Sequence, residues 1–238
     1  MPRLDVLVTR SGLAESRARA QALIIAGKVR VGGETVRRPD RSVGEDAAIS
    51  VEEGPAYASR GAHKLAPALT TFGVDPAGLV CADIGASTGG FTDILLRRGA
   101  AKVYAIDVGR GLLHWRLRQD PRVVVIERVN ARDLESFAEP VRLIVIDVSF
   151  IGLEKILPAM RQAAPEAEVV ALFKPQFQVG RSEVGKGGVV RDVSVIEGAL
   201  GGFRSWCVAN GYRVRAEAQS ELPGADGNQE IFLDLVPA

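Results

Sequence analysis

The sequence predicts an α/β protein in two units. A small α+β module covers residues 1–51. A linker at 52–58 leads to residues 59–238, which form a mostly parallel, seven-stranded sheet with helices on both faces. Three observations carry this prediction. From residue 79 onward, continuous apolar strands alternate with helical patterns, as in a parallel sheet covered on both sides. The first of these strands runs into a glycine-rich turn, Asp83-Ile84-Gly85-Ala86-Ser87-Thr88-Gly89-Gly90, that opens a helix. The first 51 residues hold only short helical and strand patterns and read as a separate appendage.

Length and composition agree with this division. A chain of 238 residues can bury one full α/β core and a small extra domain. Hydrophobic content of 47% and charged content of 25% are those of an ordinary globular protein. The net charge of +1 is uneven. Residues 1–51 carry nine basic side chains against six acidic ones, so the remainder is slightly acidic. A basic module beside a near-neutral body suggests a nucleic-acid grip attached to a catalytic part. Cys81 and Cys207 lie far apart, outside any CxxC pair, and read as reduced, packed thiols; no metal is expected. Asp147 interrupts the best apolar run, and the first residues lack a signal core, so a cytoplasmic protein with no membrane association is expected. No internal repeat or low-complexity tract is present.

Taken in order, Asp5-Val6-Leu7-Val8 opens a short helix that Ser11-Gly12 ends. Ser16 can cap a second helix, with Ala20, Leu23 and Ile24 at helical spacing and Gly27 as its stop. Short strands follow at Val29-Arg30-Val31, Thr35-Val36 and Ile49-Ser50-Val51, with Gly32-Gly33 as a turn. This segment resembles an S4 RNA-binding domain in Arg3-Leu4-Asp5, Ser16-Arg17, the Ile25–Val29 corner, Val31-Gly32-Gly33 and Ile49-Ser50-Val51. The resemblance implies RNA contact through Arg3, Arg10, Arg17, Arg19, Lys28 and Arg30. Arg60, Arg181 and Lys186 are further candidates beyond the module.

In the second unit, strands are predicted over 79–84, 103–106, 123–126, 143–148, 169–173, 212–218 and 231–236. Helices are predicted over 89–98, 153–164 and 193–210. Ligands of such sheets bind outside the strands' carboxyl ends, so the turn after residue 84 should face a pocket. Gly85, Gly89 and Gly90 let the backbone approach a ligand closely. About twenty residues on, Asp107 ends the next strand, placed to bind ribose hydroxyls. Ser87 stands where a dinucleotide fingerprint needs glycine, and Asp83 would repel a pyrophosphate. The same carboxylate suits the ammonium of S-adenosylmethionine. Asn130 and Asp133, past the strand 123–126, are candidate adenine-edge contacts by the same strand-end logic.

Here the sequence resembles the TlyA family, sometimes labelled hemolysin A, which joins an S4 domain to an FtsJ-like ribose 2′-O-methyltransferase. The matching stretches are Ser59-Arg60-Gly61-Ala62-His63-Lys64-Leu65, residues 83–92, Ala105-Ile106-Asp107-Val108-Gly109, Asp147-Val148-Ser149-Phe150, residues 172–177 and Gly227-Asn228-Gln229-Glu230. The resemblance implies a Rossmann-like S-adenosylmethionine methyltransferase fold, S-adenosylmethionine as cofactor, ribosomal RNA or a ribosomal subunit as partner, and a catalytic set Lys64, Asp147, Lys174 and Glu230. Lys174 would accept the 2′-hydroxyl proton or stabilise the oxyanion; orientation of the hydroxyl by Asp147 and Glu230 is an equal alternative. The chain's extent resembles the shorter members, which implies a large-subunit substrate, and a monomer is expected.

The remaining features are less specific. His63 reads as packing or RNA contact, and His114-Trp115 as a border of the adenine pocket. Residues 178–188, rich in glycine, read as a mobile loop closing over RNA, with residues 220–228 opposite it. The competing readings are a non-catalytic ribosome-assembly factor, an NAD oxidoreductase and a membrane-active hemolysin. The complete Lys-Asp-Lys-Glu set, the Ser87 turn and the absence of a membrane-length segment weigh against them in turn.

Overall fold

The computed structural model describes residues 1–51, 57–180, 183–224 and 226–238. The chain divides into two compact units, Met1–Ala56 and Tyr57–Ala238. In the first, α1 (Leu4–Arg10) and α2 (Arg17–Ile25) precede β1 (Val29–Val31), β2 (Glu34–Val36) and β3 (Ile49–Val51). These strands form an antiparallel sheet in the order β2-β1-β3. Ser16 caps α2 by accepting the Arg19 amide at 3.2 Å. Leu4, Val8, Ala20, Ile24, Val29 and Val36 pack as one core. Asp5 is fully buried beside them. It stays charged because Arg3 donates to both its oxygens at 3.1 Å, Arg17 at 3.0 Å and Gln21 at 2.7 Å. These bonds, Arg3's foremost, hold its carboxyl well below the usual range.

The second unit contains α3 (Gly61–Phe72), β4 (Val80–Ile84), α4 (Gly90–Arg97), β5 (Lys102–Asp107), α5 (Trp115–Arg118), β6 (Val123–Glu127), β7 (Leu143–Ile146), α6 (Leu157–Ala163), β8 (Glu168–Phe173), α7 (Val193–Ala209), β9 (Tyr212–Gln219) and β10 (Ile231–Pro237). The seven strands run in the order β6-β5-β4-β7-β8-β10-β9, parallel except that β10 inserts antiparallel between β8 and β9. Alternate residues of each strand serve opposite faces. Cys81, Val103, Val145 and Leu172 pack with α3 and α4, while Ile84, Ile106, Ile146 and Phe173 pack with α6 and α7. Both faces are therefore apolar, which is why the strands read as unbroken hydrophobic runs.

Three local features differ from the sequence expectation. The strand expected over 143–148 stops at Ile146, whose partner Ile84 is the last residue of β4; the Asp147 amide, donating to Ile84 O, makes the final rung. The helix expected over 153–164 divides into a 3-10 turn, Leu153–Lys155, and α6. Pro158 lacks an amide hydrogen and fits only in the first turn of a helix, so it restarts the helix there. The short α5 was not expected; the His114 side chain caps it by accepting the Arg116 amide at 3.2 Å.

Candidate active site

Strand order reverses at β4, whose neighbours β5 and β7 lead the chain in opposite directions. A crevice opens above their carboxyl ends. Gly85 leaves β4 with φ of 83°, and a Cβ on it would stand 2.3 Å from the carbonyl oxygen of Asp147. Glycine is therefore required where the turn after β4 passes the end of β7. Gly90, opening α4, meets a second close approach: its Cβ would lie 2.3 Å from Ser59 Oγ and 2.9 Å from the Ala62 amide. Gly89 caps the same helix, and Ser87 sits in the left-handed region at φ 49°.

Two adjoining concavities share Gly85, Ser87 and Asp147 as their common wall. The larger, about 510 Å³, is mostly apolar; Ile106, Val108, Leu112 and Phe150 line it with Asp107 and Asn130. The smaller, about 250 Å³, is lined by Arg60, Lys64, Asp83 and Phe91. Asp107 is held by two backbone amides, Ser87 at 2.8 Å and Gly109 at 2.7 Å. Asp83 is fully buried and accepts the Thr92 amide at 2.8 Å and the Thr92 hydroxyl at 2.6 Å, both on Oδ2. Its Oδ1 has no hydrogen-bond partner among the described residues. Burial raises its pKa to about 7; the Thr92 bonds oppose the shift, and Asp147 and Asp107 add to it.

The four catalytic candidates meet as two ion pairs. Lys64 Nζ lies 2.5 Å from Glu230 Oε2, and Lys174 Nζ lies 2.6 Å from Asp147 Oδ1. The second contact brings the charges together without a well-aligned hydrogen bond, while Lys174 donates to Ser149 Oγ at 3.2 Å. Sheet register explains the assembly. Ile231 of β10 pairs with Phe173 of β8, so Glu230 and Lys174 leave neighbouring strands side by side. Lys174 and Glu230 are buried, and Asp147, at 26% side-chain exposure, is the most open of the four.

Other candidates are placed differently. Asn130 lines the larger concavity and uses its Oδ1 to accept the Arg132 amide at 3.1 Å. Asp133 ends an exposed 3-10 turn, Ala131–Asp133, and does not line the crevice. His114 borders a separate concavity with Arg97, Arg116 and Arg122, not the one beside Asp107. His63 packs edge-on against Tyr57, ring centres 4.9 Å apart. Arg60 is exposed at the smaller concavity and Lys186 is exposed; Arg181 lies outside the described residues. In the first unit, Arg19 and Arg30 are exposed and Lys28 is half-buried. Arg3 and Arg17 serve Asp5, and Arg10 pairs with Glu45 at 3.1 Å.

Phe150 was missed. It is 92% exposed at φ 65°, lines the larger concavity and rests against Phe177, ring centres 5.2 Å apart. Its place directly after Asp147-Val148-Ser149 was the available signal, but an aromatic beside a core strand reads as core.

Comparison with known proteins places the chain in a family. The FtsJ-like methyltransferase family matches residues 57–235, and the S4 domain family matches residues 2–49. The 16S/23S rRNA (cytidine-2′-O)-methyltransferase TlyA of Mycobacterium tuberculosis is 47% identical over 238 residues, covering 98% of this chain and 89% of that protein. The chain belongs to the TlyA family. A further TlyA relative, the 23S rRNA (cytidine-2′-O)-methyltransferase of Campylobacter jejuni, is 38% identical over 177 residues, 74% of this chain and 69% of that protein. Among solved structures, one described as a hemolysin from Streptococcus thermophilus superposes with a TM-score of 0.75 at 40% identity, covering 99% of this chain and 88% of that one. Membership in a methyltransferase family excludes the nicotinamide oxidoreductase reading. Among the described residues no helix is long and apolar enough to cross a membrane.

Proposed function

We propose that this chain uses S-adenosylmethionine to methylate the 2′-hydroxyl of a cytidine in ribosomal RNA, with the 23S RNA of the large subunit as substrate, in the cytoplasm. The observation that carries the reading is the pairing of Lys64 with Glu230 and of Lys174 with Asp147 at the crevice of an FtsJ-like fold. The choice of 23S RNA is supported by the two TlyA relatives, whose names have it in common. Residues 1–51 serve as the RNA grip, 52–58 as the linker and 59–238 as the catalytic domain.

The crevice fits the methyl donor on three counts. Gly85 admits no side chain beside it, the larger concavity has apolar walls with Asp107 at its edge, and the smaller holds a buried carboxylate with an unused oxygen. Asp107 and Asn130 would hold the nucleoside, and Asp83 the ammonium. Bound S-adenosylmethionine supplies an activated methyl group. Lys174, already turned to Asp147 and Ser149, holds the attacking oxygen and stabilises the charge that develops on it. Asp147 orients the hydroxyl and passes its proton to solvent. The Lys64–Glu230 pair fixes the opposite side of the acceptor. Phe150 offers a stacking surface for the target base, and exposed Arg19 and Arg30 grip phosphates.

The test is incubation with labelled S-adenosylmethionine and separate small and large subunits, followed by mapping of the modified nucleotide. Labelling confined to small-subunit RNA overturns the substrate assignment. In the same assay Lys174→Ala should lower turnover by about a thousandfold or more, with cofactor affinity largely kept. Retained turnover in that variant removes Lys174 from the mechanism. Lysis of RNA-free liposomes by the purified protein would instead support the hemolysin reading.

A further inference from the structure

The turn before β10 holds a side chain that the proposed chemistry does not use. Asn228 is 1% exposed, yet every polar group of its carboxamide is engaged. Its Oδ1 accepts the Val190 amide at 2.9 Å, and its Nδ2 donates to Gly188 O at 2.8 Å. Its own carbonyl accepts the Gly224 amide at 2.8 Å. Gly224 in turn lies against the catalytic candidate: a Cβ there would stand 2.6 Å from Glu230 Oε1. One carboxamide thus joins the chain that follows Lys174 to the chain that precedes Glu230.

We propose that Asn228 is a positioning residue, fastening residues 183–190 to the turn before β10 and so holding Glu230, and through it Lys64, in register for methyl transfer. This rests on the reading of Lys64 and Glu230 as catalytic. Only an amide supplies the donor and acceptor that Gly188 and Val190 require. A carboxylate would pair with the Val190 amide but set its other oxygen against the Gly188 carbonyl. Residues 183–190 also carry exposed Lys186. The alternative is that Asn228 merely shapes a loop that captures RNA.

Steady-state methylation of the preferred ribosomal subunit by the full chain separates the two. Asn228→Ala should lower kcat about thirtyfold, with KM for the subunit and Kd for S-adenosylmethionine within about threefold of wild type. Lys186→Ala, which leaves Glu230 untouched, should raise KM at constant kcat. If Asn228→Ala raises KM alone, Asn228 belongs to the loop and the proposal fails. Asn228→Asp keeps one of the two bonds and should lose about tenfold in kcat, which carries the test if the alanine variant does not fold. Unchanged kcat in the aspartate variant overturns the proposal in that case. A wild type that binds S-adenosylmethionine but labels no RNA would overturn the functional reading as well; an active wild type with unaltered variants overturns this inference alone.

Discussion

Asp5 and Asp83 are both fully buried, yet their surroundings push them in opposite directions. Asp5, in the first unit, is wrapped by Arg3, Arg17 and Gln21, and its carboxyl is held well below the ordinary range. Asp83, in the second, has among the described residues Thr92 on one oxygen and no hydrogen bond on the other, and burial lifts its pKa to about 7. A carboxylate that the fold satisfies is a structural part. One left short of partners beside a cavity costs stability, and under the proposed function the ammonium of S-adenosylmethionine would meet it. The contrast separates a carboxylate used to hold the first unit's own shape from one whose partners the second unit leaves incomplete.

Among variants that test this contrast, the largest effect should come from Asp83→Asn. Loss of the charge should weaken S-adenosylmethionine binding about a hundredfold, roughly 3 kcal/mol, in a calorimetric titration. The same variant should be more stable than wild type at pH 8, by about 2–4 kcal/mol, because the buried charge is gone. That gain has a pH signature. The folded pKa is raised, so Asp83 destabilises the wild type increasingly as pH climbs from 3.8 toward about 7, and the two proteins should melt alike near pH 4. Equal cofactor affinity in the variant would break the comparison.

Asp5→Asn should act oppositely, lowering the stability of the first unit without touching cofactor binding. Its arginine partners are about half exposed, so solvent screening discounts the loss to about 1–2 kcal/mol, measurable as a lower melting transition. In the wild type this contribution is present at neutral pH and is lost as pH falls below 3.8, because the folded value is depressed. A smaller test concerns Phe150, held at φ 65° where bulky residues are strained. Phe150→Asn should leave stability unchanged or raise it by about 0.5 kcal/mol. It should lower methylation about tenfold through loss of the stacking face.

Much of this was legible in the sequence, and the parts that were not share a cause. Apolar runs ending in Asp147 and Lys174 placed two charges at strand ends, and the turn from Asp83 placed the crevice, because strand direction is a local property. Lys64 and Glu230 came from family likeness; their contact depends on β10 entering between β8 and β9, which no local pattern encodes. Of the two candidates past β6, Asn130 lines the larger concavity, while Asp133 ends the 3-10 turn that follows, with its side chain exposed. The break at Pro158 was readable, since proline favours a helix's first turn. The Asp5 cluster was hidden for the opposite reason: an acid among apolar residues reads as the solvent side of a helix until its three partners are seen.

The insertion of β10 also has a temporal meaning. On the ribosome, β8 and β9 emerge before the strand that joins them, so until Ile231–Pro237 follows, β8 has an open edge and Lys64 lacks Glu230. Under the proposed function, the growing chain therefore lacks one of its four catalytic candidates while still tethered to the particle proposed as its substrate. The proposed set is completed only by β10, through contacts far apart in sequence, which are slow to form.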